Sequence, residues 1–325
     1  MKNLFFILKR LGNALITLIV LSFIIFSLLF LAPGDPARNL VGVRQATPEL
    51  LESIRAQFHL DQPFLVQYAH WLDGAVRLDF GTSIRTGQDV ITYISPSATI
   101  TFQLVGLSLV MSIILGLTFG IISAKRKGGI GDRVINIIAL VGTSAPGFAV
   151  GLLLLYVLAF RLELFPVFGS GTFMHLVLPA LTLAFGISAV LIKLTRQAMI
   201  NEIETDYTMF MRARSLSAPR ITLSQLKNAS PTVLTSTGLV LAALFGSTVL
   251  VESVFALPGL GNLLASSVTF RDVPVVQFIA LMMAVIICLT SALVDILVYI
   301  LNPTAMREQL AKKRRKKSAS TEEGL

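Results

Sequence analysis

Charge is what this chain lacks. Asp, Glu, Lys and Arg make up 14% of it, about half the share of an ordinary soluble domain. The few charges are also unevenly placed. Six apolar stretches, Leu11–Leu31, Thr99–Ala124, Val134–Phe160, His175–Leu194, Val233–Val251 and Val275–Leu301, contain only Lys193 and Asp295 of the 27 basic and 18 acidic residues. Cysteine occurs once, as Cys288, so no intrachain disulfide can form. The three histidines, His59, His70 and His175, stand far apart, which excludes a metalloprotease pattern. No Gly-Lys dipeptide occurs, so there is no phosphate-binding P-loop. No basic patch is interleaved with base-stacking aromatics, which removes nucleic acid as a partner. No catalytic constellation appears either, and the chain reads as a non-enzyme without a cofactor or metal.

What is present is hydrophobic length. A helical crossing of the bilayer needs about 20 apolar residues, and each stretch meets or nearly meets that. Backbone groups must be satisfied internally in lipid, so the spans should be helices. The expectation is an all-α membrane protein of six spanning helices in one bundle, with the lipid bilayer as its surroundings. With the N-terminus inside, 20 basic residues fall on the inner side, Lys193 at the inner end of the fourth stretch among them, and seven on outer segments, although the outer segments are longer in total. That bias places both termini in the cytoplasm, and it accounts for most of the net charge of +9. Leu11–Leu31 is longer than a signal-peptide core and shows no clear cleavage pattern, so it reads as the first anchor.

The outer segment Ala32–Ala98 is long enough to be structured. Thr47-Pro48-Glu49 predicts a helix start, followed by Leu50, Leu51, Ile54 and Phe58 at helical spacing. Asp61-Gln62-Pro63 predicts a second start, with Phe64, Tyr68, Trp71, Leu72 and Val76 on one face. These two short helices are expected to form a cap, read equally well as a lid or docking surface or as a packed loop. Pro146-Gly147 interrupts the third span and Pro179 sits early in the fourth. Such breaks either bend helices around a passage or accompany close packing through small residues. No internal repeat is visible, which argues against a secondary transporter built on inverted repeats. Asp295 reads as the only acid within a span, suited to a hydrogen bond between helices.

Thr195–Thr232 is the unusual connection: about forty residues, on the inner side and too polar to enter the bilayer. Glu202, Glu204 and Asp206 precede Tyr207, Phe210, Met211 and Leu216, which alternate with Arg212, Arg214 and Arg220. The pattern predicts a short amphipathic helix from Thr205 or Asp206, its acids and arginines placed to suit the helix dipole. Its apolar side can enter a groove on another protein or lie on lipid headgroups. The acidic start weighs against the second, because the inner leaflet is itself negative. The chain therefore has a bundle and a docking-like loop but no engine.

These residues resemble a family. Pro33-Gly34-Asp35-Pro36, Leu60-Asp61-Gln62-Pro63, Asp79-Phe80-Gly81-Thr82-Ser83, Val251-Glu252-Ser253-Val254-Phe255, Pro258-Gly259-Leu260-Gly261, Arg271-Asp272-Val273-Pro274 and Asn302-Pro303 recur in order across nearly the whole chain. Glu204-Thr205-Asp206-Tyr207 leading into Arg212-Ala213-Arg214-Ser215-Leu216-Ser217 looks like the "EAA" loop of import permeases. The chain resembles a permease subunit of a bacterial ABC importer of the dipeptide/oligopeptide/nickel class.

The resemblance implies a type I importer (MetI-like) fold in the inner membrane. Residues 1–98 would form an anchor and periplasmic cap, and 99–307 the permease core, with the EAA coupling loop at 195–232. Residues 308–325 would form a disordered basic tail. The resemblance also implies partners: cytoplasmic ATPase subunits, a second and paralogous permease, an extracytoplasmic substrate-binding protein and a peptide cargo. Asp206, Tyr207, Phe210, Met211, Arg212, Ala213, Arg214, Ser215 and Leu216 carry over as ATPase-coupling contacts. Pro258, Gly259, Leu260 and Gly261 form a candidate periplasmic gate or, equally, a tight structural turn. The family commonly has Gly where Ser215 stands, and Ser217–Pro231 is slightly shorter than the family pattern. Within the family the cargo can instead be nickel, glutathione, an opine or an oligosaccharide. From another class, a secondary ion-driven transporter would work alone, but the nearly acid-free spans argue against it.

Overall fold

A computed structural model describes residues 2–31, 35–41, 47–57 and 59–301. Pro33, Gly34, Phe58, Asn302-Pro303 and the tail 308–325 lie outside the described residues. The helices are α1 Lys2–Leu31, α2 Pro36–Val41, α3 Pro48–Gln57, α4 Phe64–Val76, α5 Val90–Lys125, α6 Ile130–Ser144, α7 Gly147–Leu154 (continued by a π-helix Leu155–Arg161), α8 Met174–Ile203, α9 Asp206–Ala213, α10 Ala218–Val254, α11 Leu260–Thr269 and α12 Val273–Leu301.

α1, α5, α8, α10 and α12 are long and apolar enough to cross a membrane. The third apolar stretch is a sharply bent pair, α6 and α7, so the expected six crossings hold when that pair counts as one. The break has a local cause. Ala145 precedes Pro146 and has extended backbone (φ −74°, ψ 134°), because the proline ring disfavours helical geometry at the residue before it. Pro179, by contrast, lies within α8 without ending it.

Four expectations need correction. α8 runs on to Ile203 and α10 already begins at Ala218, so the connection is residues 204–217 rather than Thr195–Thr232. Helices can outrun the apolar core because Arg, Gln and Glu are good helix formers. Asp295 is not the only acid in a spanning helix: Asp132 on α6 and Glu252 on α10 are both buried. Both sit just beyond the apolar stretches, where sequence hydropathy falls before the helix ends. The outer segment holds α2 as well as the two expected helices, and α11 occupies what read as a tight turn.

The described residues fall into two compact units. The first takes residues 1–107, 147–182 and 245–289. Phe23, Phe26 and Phe30 of α1 meet Phe64, Tyr68 and Trp71 of α4 with ring centroids 5.0–5.7 Å apart. The ring contacts continue from Trp71 to Phe80 and from Phe80 to Phe278 of α12. Such pairs add about 0.5–1.5 kcal/mol each beyond area burial. Val76 is 77% exposed and drops out of the expected face. Val90, Ile94, Leu260, Val275 and Ile279 form the buried core. Two of the sequence marks meet: Ser83 donates to the Asp272 carboxylate at 2.5 Å, and the Ile84 N–H does so at 3.1 Å.

The second unit takes residues 108–146, 183–244 and, among the described residues, 290–301. α8 packs on α5 and α6 through glycines. A Cβ added at Gly116, Gly120 or Gly142 would lie 2.5 Å from Leu191, 2.6 Å from Thr195 or 2.9 Å from Ala189. Small residues let helix backbones approach and gain dispersion contact where lipid offers no hydrophobic drive.

Candidate docking segment and its supporting network

The segment 204–217 is built by local hydrogen bonding. Thr205, the α9 N-cap, is extended (φ −82°, ψ 152°), and its hydroxyl donates back to the Glu202 carbonyl at 2.6 Å. Buried Thr208 donates to the same carbonyl at 2.8 Å and accepts from the Gln225 side chain of α10 at 3.3 Å. The Tyr207 hydroxyl donates to the Glu202 carboxylate at 2.7 Å. Burial first, then that bond to Glu202, raises the Tyr207 hydroxyl above the usual phenol range, so it stays protonated as a donor. One side of α9 is thus tied to the ends of α8 and α10.

The other side is free of such ties. Met209 and Phe210 are 65% and 66% exposed, and Arg212 and Arg214 are exposed beside them. The helix closes on Ser215, whose φ of 54° is left-handed. The Ser215 N–H bonds the Arg212 carbonyl at 2.9 Å and the Leu216 N–H bonds the Met211 carbonyl at 3.2 Å. This is a Schellman end, a position that favours Gly. Ser there costs about 1 kcal/mol against Gly, repaid by the two carbonyls that the turn satisfies.

The structure places Asp206, Tyr207, Phe210, Met211, Arg212 and Ala213 together on α9, with Arg214, Ser215 and Leu216 forming its closing turn. Tyr207 turns inward rather than joining the exposed side. Met209, which sequence reading passed over, takes that place. Thr208, a small polar residue between Tyr207 and Met209, marks the anchored face in the sequence.

Beneath this segment lies an ion pair. The Arg196 guanidinium on α8 makes two 2.8 Å bonds to the Asp132 carboxylate on α6. Ser123 (2.5 Å), Asn136 (2.7 Å) and the Gly128 N–H (2.9 Å) complete the shell of Asp132. Lys127 pairs with Glu204 at the start of the docking segment. A cavity of about 350 Å³ opens there, with Lys125, Lys127, Glu204 and Arg212 among its lining residues.

The candidate gate is a packed helix start, where Pro258 and Gly259 lead into α11 at Leu260. The Thr101 hydroxyl donates to Glu252 at 2.6 Å and accepts from the Leu260 N–H at 2.8 Å, while the Asn262 N–H bonds Glu252 at 3.0 Å. A Cβ at Gly259 would overlap the Glu252 carboxylate, and one at Gly261 would come within 2.7 Å of Val249. Only glycine fits either position. Pro258 is exposed, whereas Gly259, Leu260 and Gly261 are buried. Among the described residues no group of three His, Cys, Asp or Glu side chains could hold a metal.

Residues 116–307 match the family described as binding-protein-dependent transport system inner membrane component, and residues 3–81 match the N-terminal component of the same systems. The glutathione transport system permease protein GsiC of Escherichia coli strain K12 is 36% identical over 299 residues, 92% of this chain and 97% of that one. The protein of the same name from Pectobacterium atrosepticum is 35% identical over the same span. A chain from the inward-facing MetNI methionine ABC transporter is 17% identical and superposes with a TM-score of 0.53, covering 62% of this chain and 94% of that one. The fold is thus of the MetI-like type I importer class. The chain belongs to the binding-protein-dependent transport system inner membrane component family, the permease subunits of ABC importers. It is a multi-pass protein of the inner membrane, and family membership sets aside the secondary ion-driven transporter.

Proposed function

We propose that this permease moves small peptides inward, with α9 as the helix through which cytoplasmic ATPases drive it. The observation that carries the cargo reading is the 36% identity to a glutathione permease across 92% of the chain, glutathione being itself a tripeptide. The distribution of basic residues supports placing both termini and α9 in the cytoplasm. The coupling role of Asp206, Tyr207, Phe210, Met211, Arg212, Ala213, Arg214, Ser215 and Leu216 is supported by a helix anchored on one side and apolar on the other. In this reading a second, paralogous permease forms the other wall of the passage, and an extracytoplasmic binding protein delivers the cargo. The turn Pro258–Gly261 serves the outer gate, moving as one piece with α10 through Glu252.

The test is reconstitution of the chain with its partner permease, ATPases and binding protein in proteoliposomes. ATP-dependent uptake of a labelled tripeptide is expected, with unlabelled glutathione competing. Uptake that needs no ATPase, or ATP-driven uptake of a non-peptide solute only, contradicts the reading.

A further inference from the structure

Lys193 is the only basic residue inside the six apolar stretches. It stands second from the inner end of the fourth stretch, and an ionisable group within a span is a functional candidate by default. The ordinary alternative is a lysine near the end of a span that stretches its ammonium towards water. The geometry runs the other way. α6 and α8 are joined at Asp132–Arg196, and again where Gly142 meets Ala189. Lys193 is one helical turn from Arg196, about 4.5 Å along α8. Its Nζ nevertheless donates to the Thr143 hydroxyl at 3.0 Å, and Thr143 lies about 16 Å beyond Asp132 along α6. The ammonium therefore reaches away from the charged end of the helices, towards the place where α6 stops.

That place offers polar groups among the exposed apolar side chains of Leu140, Val141 and Phe148. Thr143 and Ser144 are exposed, and they form the last turn of α6, whose carbonyls point their negative dipole at a cation. The Thr143 hydroxyl points its own proton at the Ala139 and Leu140 carbonyls, which leaves a lone pair for Lys193. Among the described residues no ion pair includes Lys193. A hydroxyl and a dipole steady the charge without cancelling it. Two ammonium protons are left for a ligand.

We infer that Lys193 receives a carboxylate of the cargo at the end of α6 during transit. This rests on the small-peptide reading and narrows it: the terminal carboxylate of a peptide fits the ammonium, whereas a metal cation would be repelled.

The experiment uses the complete transporter in proteoliposomes with saturating binding protein, fed a tripeptide or its C-terminal amide. Wild type takes up the free acid about tenfold faster than the amide, the worth of one charge-assisted hydrogen bond. Lys193→Met abolishes that preference by slowing the acid alone, and Lys193→Arg retains it. If Lys193→Met fails to assemble, Thr143→Val decides, with a narrowed preference expected. The inference is overturned if wild type shows no preference, if Lys193→Met slows acid and amide alike, or if either neutral variant keeps the wild-type preference. A wild-type complex that drives neither peptide would instead sink the peptide reading itself.

Discussion

Truncating Met209 and Phe210 to alanine is expected to disconnect the permease from its ATPases while leaving it inserted and folded. Both side chains are about two-thirds exposed on α9 and touch none of the network that anchors the helix. Loss of a large anchor at the centre of an interface costs about 2 kcal/mol, or ~30-fold in affinity. Titrating detergent-purified permease with the ATPase subunits reads that shift directly. Tyr207→Ala behaves differently. It removes the bond to Glu202 and loosens α9 itself, so its loss of coupling comes with a lower melting temperature. Unchanged ATPase affinity in the Met209/Phe210 double variant would remove α9 from the interface.

Asp132→Ala is expected to give the largest loss of stability. It strands a guanidinium whose side chain is only 23% exposed, and breaking such a pair by deleting one partner costs about 3 kcal/mol. The loss should appear as a lower denaturation midpoint for the purified chain. Pairing Asp132→Ala with Arg196→Met should recover most of it, because the buried charge then disappears with its partner. If the double variant is as unstable as the sum of the singles, the two residues do not act as a pair.

The crossings were legible in the sequence because lipid imposes one rule on all of them: long apolar runs with satisfied backbones. α9 was legible to within a residue, since its apolar and charged positions follow helical spacing and Thr205 stands at its N-cap position. Hydropathy could not locate the ends of α8 and α10. It measures preference for lipid, and a helix continues past the bilayer wherever its residues tolerate helical geometry. Asp132 escaped notice, and Glu252 stood out only as part of a family mark, for the same reason. Their significance comes from partners far along the chain, Arg196 and Thr101, which only the fold brings within hydrogen-bonding distance. Tyr207 was read as apolar surface because helical spacing cannot see the Glu202 carboxylate that draws its hydroxyl inward. The resemblance flagged the turn at Ser215, and the backbone agrees: the residue is left-handed there despite carrying a side chain.

The central claim is that α9 is the surface on which separate ATPases pull. Cys288 is the only native cysteine, so a Cys288→Ala background carrying Phe210→Cys gives a single reporter thiol. In the assembled transporter this thiol should cross-link to an ATPase subunit and be shielded from membrane-impermeant reagents added outside. Labelling from the extracytoplasmic side, or a complete complex in which no ATPase is captured, would contradict the account.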